Sequence, residues 1–263
     1  MKIIGNAKLQ EFVDEKLYDD QSPKNLAGRI KKHEKHLPSI SKNSIYRYIS
    51  SVYGRNIENY RNARKKRRRG GRRKVSEKLK DRAFIDKRPV FIGKRRRIGD
   101  AEADFIVSGK SGKGIILVVA DRKSRAPFLE KITKVTIENV HLAFLKIKKR
   151  FPELRTITTD NDILFRHFKV LEKLLGVKIY FCHPYHSWEK GTVENINGHI
   201  RKDIPKGSDI SKYSKEFIQT IEQKLQRKIM EVLNYLTPLE VLTKSRKQKS
   251  ARGAQKDYEK MKD

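Results

Sequence analysis

The chain has 263 residues, enough for about two domains. Its 63 Lys and Arg against 31 Asp and Glu leave a net charge of +32, which opposes compaction and favours a polyanionic partner. A lone cysteine, Cys182, excludes an intrachain disulfide and a cysteine-rich zinc site. No run of about 18 apolar residues exists to span a membrane, and MKIIGNAKLQEF lacks the apolar core of a signal peptide, so an intracellular protein is expected.

Residues 1–60 are expected to form a helix-turn-helix DNA-binding region. SPKNLAGRIKKH reads as a helix with Ser22 at the N-cap, Pro23 at the first helical position, and Leu26 and Ile30 on one face. Pro38 breaks the pattern. SKNSIYRYISSVYG restarts it with Ser41 as cap and Ile45, Tyr48, Ile49 and Val52 as the apolar stripe. Two short helices about a turn offer Lys42, Asn43, Ser44 and Arg47 to a DNA groove. A helical bundle with no role in DNA binding has the same spacing.

Residues 61–98 are expected to be a basic linker arm. They hold 19 Lys and Arg against Glu77, Asp81 and Asp86, half of the whole net charge. RNARKKRRRGGRRK is too charged and too glycine-interrupted for a core helix. It reads as a solvated linker, as an arm lying on DNA phosphates through residues such as Arg67, Arg68 and Arg69, or as both.

Residues 99–205 change character. Ala103–Val107, Ile115–Ala120 and Ala126–Ile132 read as consecutive strands, the first two joined by the glycine-rich SGKSGKG. TIENVHLAFLKIKKRF is an amphipathic helix capped by Thr136, with Val140, Phe144, Ile147 and Phe151 as its stripe. A strand at Leu154–Thr159 follows. Then come a helix at Phe165–Leu175 stopped by Gly176, a strand at Val177–Phe181, and a helix from Thr192 to about Arg201. The order βββαβαβα predicts an α/β domain, a mixed sheet flanked by helices in the manner of ribonuclease H. Residues 206–263 are expected to be helical, with one helix over Ser214–Leu233, a second started by Thr237 and Pro238, and a frayed polar tail.

Three acids stand at separate elements of this pattern. Asp104 lies on the first strand, Asp160 ends the fourth, and Glu194 falls in the first turn of the last core helix, with 33 residues between it and Asp160. Adjacent strands bring Asp104 and Asp160 together. Crowded carboxylates repel unless a cation sits among them. The pattern suits two Mg²⁺ ions, with Mn²⁺ as a substitute, stabilising the entering and leaving oxygens of a phosphoryl displacement. On count alone, three acids among 31 are more often surface or capping groups. Asn197 and Arg201, at i+3 and i+7 from Glu194, share its helix face and offer an amide and a guanidinium to a phosphate. In the preceding loop, Tyr185 and Trp188 either pack onto the core or brace a DNA end. His183 and His186 have no suitably spaced partners for zinc.

The residues around Glu194, PYHSWEKGTVENINGHIRKDIPKGSDIS, resemble the catalytic-glutamate signature of the IS-thirty family of bacterial transposases, DDE enzymes of the retroviral-integrase superfamily. GDAEADFI resembles the family's first-aspartate motif, TTDN its second, and ISKNSIYRYI its helix-turn-helix. DKRPVFIGKRRRIGDAEAD resembles the linker and LNYLTPLEVL the C-terminal helix, so the likeness covers about residues 22–242. It implies that Asp104, Asp160 and Glu194 are the catalytic, metal-binding triad and that Arg201 helps to place DNA. The family usually has His-Trp-Glu-Gly-Asp where this chain has Asp100, Ala101, Glu102, Ala103 and Asp104, and usually has Gly and then Glu-Phe after the second motif where this chain has Asp162, Ile163, Leu164 and Phe165. Asp162 adds a charge beside the site, and the family's N-terminal region is commonly longer.

The expected function is therefore that of a DDE transposase in the bacterial cytoplasm, associated with the nucleoid. It would bind double-stranded DNA at element ends and target, as a homo-oligomer of at least two chains because one site must meet two ends. Its chemistry would be Mg²⁺-dependent strand cleavage and strand transfer. The rival readings are a decayed or domesticated transposase acting as a repressor, and a nuclease for RNA–DNA hybrids.

Overall fold

Apolar residues recur with helical spacing at both ends of the chain and with strand character in its middle, and the elements follow that division. The computed structural model describes residues 2–63, 82–110, 112–184 and 186–260. Four helices come first: α1 (Ala7–Tyr18), α2 (Pro23–His33), α3 (Lys42–Ile49) and α4 (Arg55–Ala63). A short α5 (Val90–Gly93) precedes β1 (Asp100–Val107), β2 (Ile115–Asp121) and β3 (Pro127–Ile132). Then come α6 (Ile137–Arg150), β4 (Thr156–Thr159), α7 (Phe168–Leu175) and β5 (Lys178–Phe181). The chain ends with α8 (Gly191–Asp203), α9 (Lys215–Gln226) and α10 (Pro238–Lys260). Among the described residues no helix is long and apolar enough to cross a membrane.

The chain forms two compact units. One comprises Met1–Arg69 with Arg227–Asp263, the other Gly70–Gln226. In the first, Leu9, Val13 and Leu17 of α1 pack with Leu26 and Ile30 of α2 and with Ile45, Tyr48 and Ile49 of α3. Ser22 and Ser41 cap α2 and α3 as the sequence indicates, each accepting a backbone N–H three residues on. Val52 departs from the expected stripe. The helix ends at Ile49, and Val52 opens a 3₁₀ turn with its side chain exposed. The chain turns there because Gly54 passes so close to α3 that a Cβ would stand 2.2 Å from the Tyr48 carbonyl oxygen.

The C-terminal part of this unit is strapped to α2. The Asn25 amide donates to the Ile229 carbonyl, the Ile229 N–H donates to Gln21, and Arg29 grips both oxygens of Glu240 at 2.7 and 2.8 Å. Thr237 and Glu240 exchange hydrogen bonds as a capping box at the start of α10. The helix expected over Ser214–Leu233 stops at Gln226 instead. Ile229 enters the core of the helical unit, and a bridge pairs Met230 with Leu236. Asn234 and Tyr235 turn the chain with φ of 56° and 63°.

The second unit is built on a five-stranded sheet in the order β3-β2-β1-β4-β5. β1 pairs antiparallel with β2 and β2 with β3, whereas β1–β4 and β4–β5 are parallel. This mixed order with a flanking helical layer is the ribonuclease H-like arrangement expected from the sequence. Every residue of β2 is buried, as a strand covered on both faces requires. Alternation along β1 divides the two layers. Glu102, Asp104 and Ile106 share one face of β1, and Ile106 packs there with Val193, Ile196 and Ile200 of α8 and Ile218 and Ile221 of α9. Phe105 points the other way, into an aromatic cluster with Phe144, Phe165, Phe168 and Phe181.

Candidate active site

The parallel pairing of β1 with β4 sets the geometry. Glu102 on β1 lies opposite Thr158 on β4, so Asp104 is carried to the strand end where Asp160 leaves the sheet. The Lys190 ammonium stands 3.2 Å from Asp104 Oδ1 and 2.8 Å from Asp160 Oδ2. The two expected catalytic aspartates thus flank one position held by a cation. The Lys190 side chain is 4% exposed. Its burial opposes the charged form, but Asp104 and Asp160 outweigh burial, and its pKa is raised.

Burial pushes the Asp104 carboxyl above the usual range. Lys190 counters that shift and the Asp160 charge adds to it. Asp104 Oδ1 accepts the Phe105 N–H at 3.0 Å, and Oδ2 accepts the Asn197 amide at 2.8 Å. Asp162 caps the 3₁₀ turn at Ile163–Phe165 by accepting the Leu164 N–H at 2.9 Å. Burial raises its pKa, and the charges of Asp160 and Asp104 push the same way.

Glu194 is the fourth residue of α8, one turn before Asn197. The start of α8 is fastened to β1 by Glu102, whose fully buried Oε2 accepts the N–H groups of Thr192 and Val193 at 2.8 and 2.9 Å. A carboxylate at a helix N-terminus meets unpaired donors and the positive end of the helix dipole. Arg122 supports Glu102 at 3.6 Å, and Arg125 donates to Thr192 Oγ1 at 2.7 Å. The site therefore stands on a rigid joint between β1 and α8. The ligand atoms of Asp104, Asp160 and Glu194 do not all lie within 4.8 Å of one another, and Lys190 occupies the space between the two aspartates.

Asn197 is engaged with Asp104, and Arg201 donates to the carbonyls of Pro205 and Val107. Both lie on the Glu194 side of α8. Trp188 is 69% exposed and meets His186 edge-on, so it does not anchor the loop in the core. Lys42, Asn43 and Arg47 are exposed on α3, and Ser44 is half-buried with its hydroxyl on Ser41. Arg67, Arg68, Arg69 and Tyr185 lie outside the described residues. The zinc reading of His183 and His186 needs correction, because Glu189 completes a group of three ligand atoms within 4.8 Å of one another. Glu189 is a carboxylate at i+6 from His183, and such a position becomes a neighbour only in a tight 3₁₀ turn. Glu102 was legible as the residue two before Asp104 and so on the same strand face, whereas no local pattern marks Lys190.

Asp104 and Asp160 thus meet beside the first turn of α8 on a ribonuclease H-like sheet. The relatives of the chain are transposases. The transposase of insertion sequence element IS4351 from Bacteroides fragilis is 36% identical over 224 residues, covering 83% of this chain and 68% of that protein. Transposase InsI of element IS30A from Escherichia coli (strain K12) is 30% identical over 254 residues, covering 90% of this chain and 65% of that protein. The chain belongs to the IS-thirty family of insertion-sequence transposases. The catalytic core of BIV integrase superposes with a TM-score of 0.45 at 19% identity, over 58% of this chain and 98% of that one. No protein-family model matches the chain.

Proposed function

We propose that the chain cleaves DNA strands at the ends of an insertion sequence and transfers them to target DNA, with Asp104, Asp160 and Glu194 as the metal-binding residues. One observation carries this reading. The Asp104 and Asp160 carboxylates converge on a single cationic group. Two carboxylates so placed, one raised in pKa by burial, form a locus that a hard divalent cation suits better than a proton does. Glu194 lies one helical turn from Asn197, which already touches Asp104, and so stands on the same side. Two Mg²⁺ ions, or Mn²⁺ in their place, would supply charge neutralisation at the oxygens entering and leaving phosphorus.

The chain's own residues contribute position. Glu102 fixes the start of α8, Asn197 fixes the Asp104 carboxylate, and Arg201 lies along the same helix where a phosphate would follow. The exposed side chains of Lys42, Asn43 and Arg47 on α3, with Ser44 beside them, fit the reading of a helix that enters the groove of a terminal inverted repeat. The net charge of +32 supports nucleic acid as the partner and the nucleoid as the place of action. A pair of chains holding two ends is part of the proposal.

The test is to incubate the protein with labelled element-end DNA, with and without Mg²⁺, beside Glu194→Gln and Asp160→Asn. Cleaved and joined products from the wild type alone are expected, with all three proteins retaining the DNA. Joining by Asp160→Asn would overturn the assignment. Retention of DNA with no product in any condition would favour a repressor.

A further inference from the structure

A second cluster of ligating side chains lies on the loop between β5 and α8, apart from the three acids. His183, His186 and Glu189 are spaced i, i+3, i+6, and each brings one ligand atom within 4.8 Å of the other two. The segment winds into a 3₁₀ turn at Ser187–Lys190, whose three-residue period stacks such positions.

The hydrogen bonds fix how His183 presents itself. Its Nε2 lies 2.7 Å from Asp86 Oδ2, and its Nδ1 lies 3.1 Å from Glu189 Oε1. An ionised carboxylate only accepts, so a neutral ring can satisfy one of these two contacts with its single hydrogen, and the tautomer with that hydrogen on Nε2 serves the exposed Asp86. In the neutral ring Nδ1 then holds a lone pair facing a second carboxylate, an arrangement that needs a proton or a cation between the two. Glu189 Oε2 is pinned by the His183 N–H at 2.9 Å. Phe84 stacks on the His183 ring at 5.5 Å and 9°, holding its plane.

A proton on His183 accounts for its own two contacts, and Glu189 and Asp86 do raise its pKa. It does not account for His186. The Nδ1 of His186 is a buried ring nitrogen with no hydrogen-bond partner among the described residues. Two ligands of a tetrahedral ion, each 2.0–2.1 Å from it, stand roughly 3.3 Å apart. The 3.1 Å between His183 Nδ1 and Glu189 Oε1 is close to that separation.

We propose that His183, His186 and Glu189 bind one borderline transition-metal ion, Zn²⁺ before Mg²⁺, with Asp86 orienting His183 from behind. Two imidazoles and one carboxylate favour Zn²⁺ and Co²⁺, whereas Mg²⁺ prefers an all-oxygen shell. Asp86 then plays the carboxylate–histidine–metal role common to such sites. The ion would tie the loop that ends at Lys190 to the turn at Ile85–Lys87, and so stiffen the approach to α8. This proposal does not depend on strand transfer.

The experiment uses tag-free full-length protein stripped with chelator. Trp188 is the sole tryptophan and meets the His186 ring at 4.4 Å, so it reports on the site. Zn²⁺ titration by calorimetry should give a one-to-one site, and Co²⁺ should quench Trp188 and develop visible absorption. His186→Ala and the near-isosteric Glu189→Gln should weaken Zn²⁺ by at least about tenfold, and Asp86→Asn by roughly tenfold to a hundredfold. Circular dichroism would certify that each variant is folded, and Asp160→Asn should bind Zn²⁺ like the wild type. Equal Zn²⁺ affinity in the wild type, His186→Ala and Glu189→Gln would overturn the proposal. So would loss of the site in Asp160→Asn, or displacement by equimolar Mg²⁺.

Discussion

Glu102 on β1 receives the Thr192 N–H of α8 at 2.8 Å, so one buried carboxylate joins the strand that carries Asp104 to the helix that carries Glu194. Glu102→Ala removes that joint and leaves Arg122, 5% exposed, as a buried charge without its partner. Losing one member of a buried pair costs about 3–5 kcal/mol. Urea unfolding should show that loss. Glu102→Gln, which keeps an acceptor for Thr192, should lose less stability and retain more strand transfer. Equal stability of Glu102→Ala and the wild type would exclude the role.

Lys190 predicts an effect of opposite sign on metal binding and on stability. Its ammonium occupies the position between Asp104 and Asp160 that a divalent cation would claim. Lys190→Met should leave two facing carboxylates with no counter-charge and lower the melting temperature in metal-free buffer. Mn²⁺ should then bind to the variant more tightly than to the wild type, by roughly tenfold, or about 1.4 kcal/mol. Electron paramagnetic resonance of free Mn²⁺ reads the difference directly. Weaker Mn²⁺ binding in the variant would mean that Lys190 assists the ion instead of standing in for it.

These two residues also show what the sequence could and could not convey. The mixed sheet was legible because alternating and continuous apolar runs have different periods, and β1, β2 and β3 lie within a few residues of their expected spans. Caps at Ser22, Ser41 and Thr136 were legible because each is a local signal answered three residues later. The contacts of Lys190 were not, since Asp104 and Asp160 lie 86 and 30 residues away and only the parallel β1–β4 pairing brings them together. The end of α9 failed for a related reason. Residues 227–233 continue a helical pattern, yet Ile229 is drawn into the core of the helical unit. Tertiary burial there overrides propensity.

Asp162 carries a charge whose cost depends on pH. Burial, and then the neighbouring Asp160 and Asp104 charges, raise its folded-state pKa above the ordinary carboxylate value of 3.8. A raised carboxyl is most favourable to the fold below its unfolded pKa and loses that contribution as pH rises through the folded pKa. Asp162→Asn keeps the oxygen that accepts the Leu164 N–H and removes the charge. The variant should therefore show a higher urea midpoint than the wild type at pH 7. The advantage should shrink as pH falls through the raised folded-state pKa and vanish below 3.8, where both side chains are neutral. A constant difference across that range would place the effect in packing instead of charge.

Glu240 gives the contrary sign in the helical unit. Burial works to raise its pKa, but the Arg29 fork and the Thr237 N–H and hydroxyl outweigh it and bring it down to about 2 from 4.5. A depressed carboxyl contributes stability that is complete above the unfolded pKa and fades as pH falls through the folded value. The stabilisation from this pair should thus hold at pH 6 and disappear between about pH 4.5 and 2. Because the Glu240 side chain is 35% exposed, solvent screening limits its worth to about 1 kcal/mol. Glu240→Gln should lower the melting temperature at pH 6 and change it little at pH 2, as read from helical circular dichroism. High salt should diminish the difference at pH 6, since a partly exposed ion pair is screened. If the variant melts below the wild type by the same margin at both pH values, the capping geometry and not the Arg29 charge holds α10 in place.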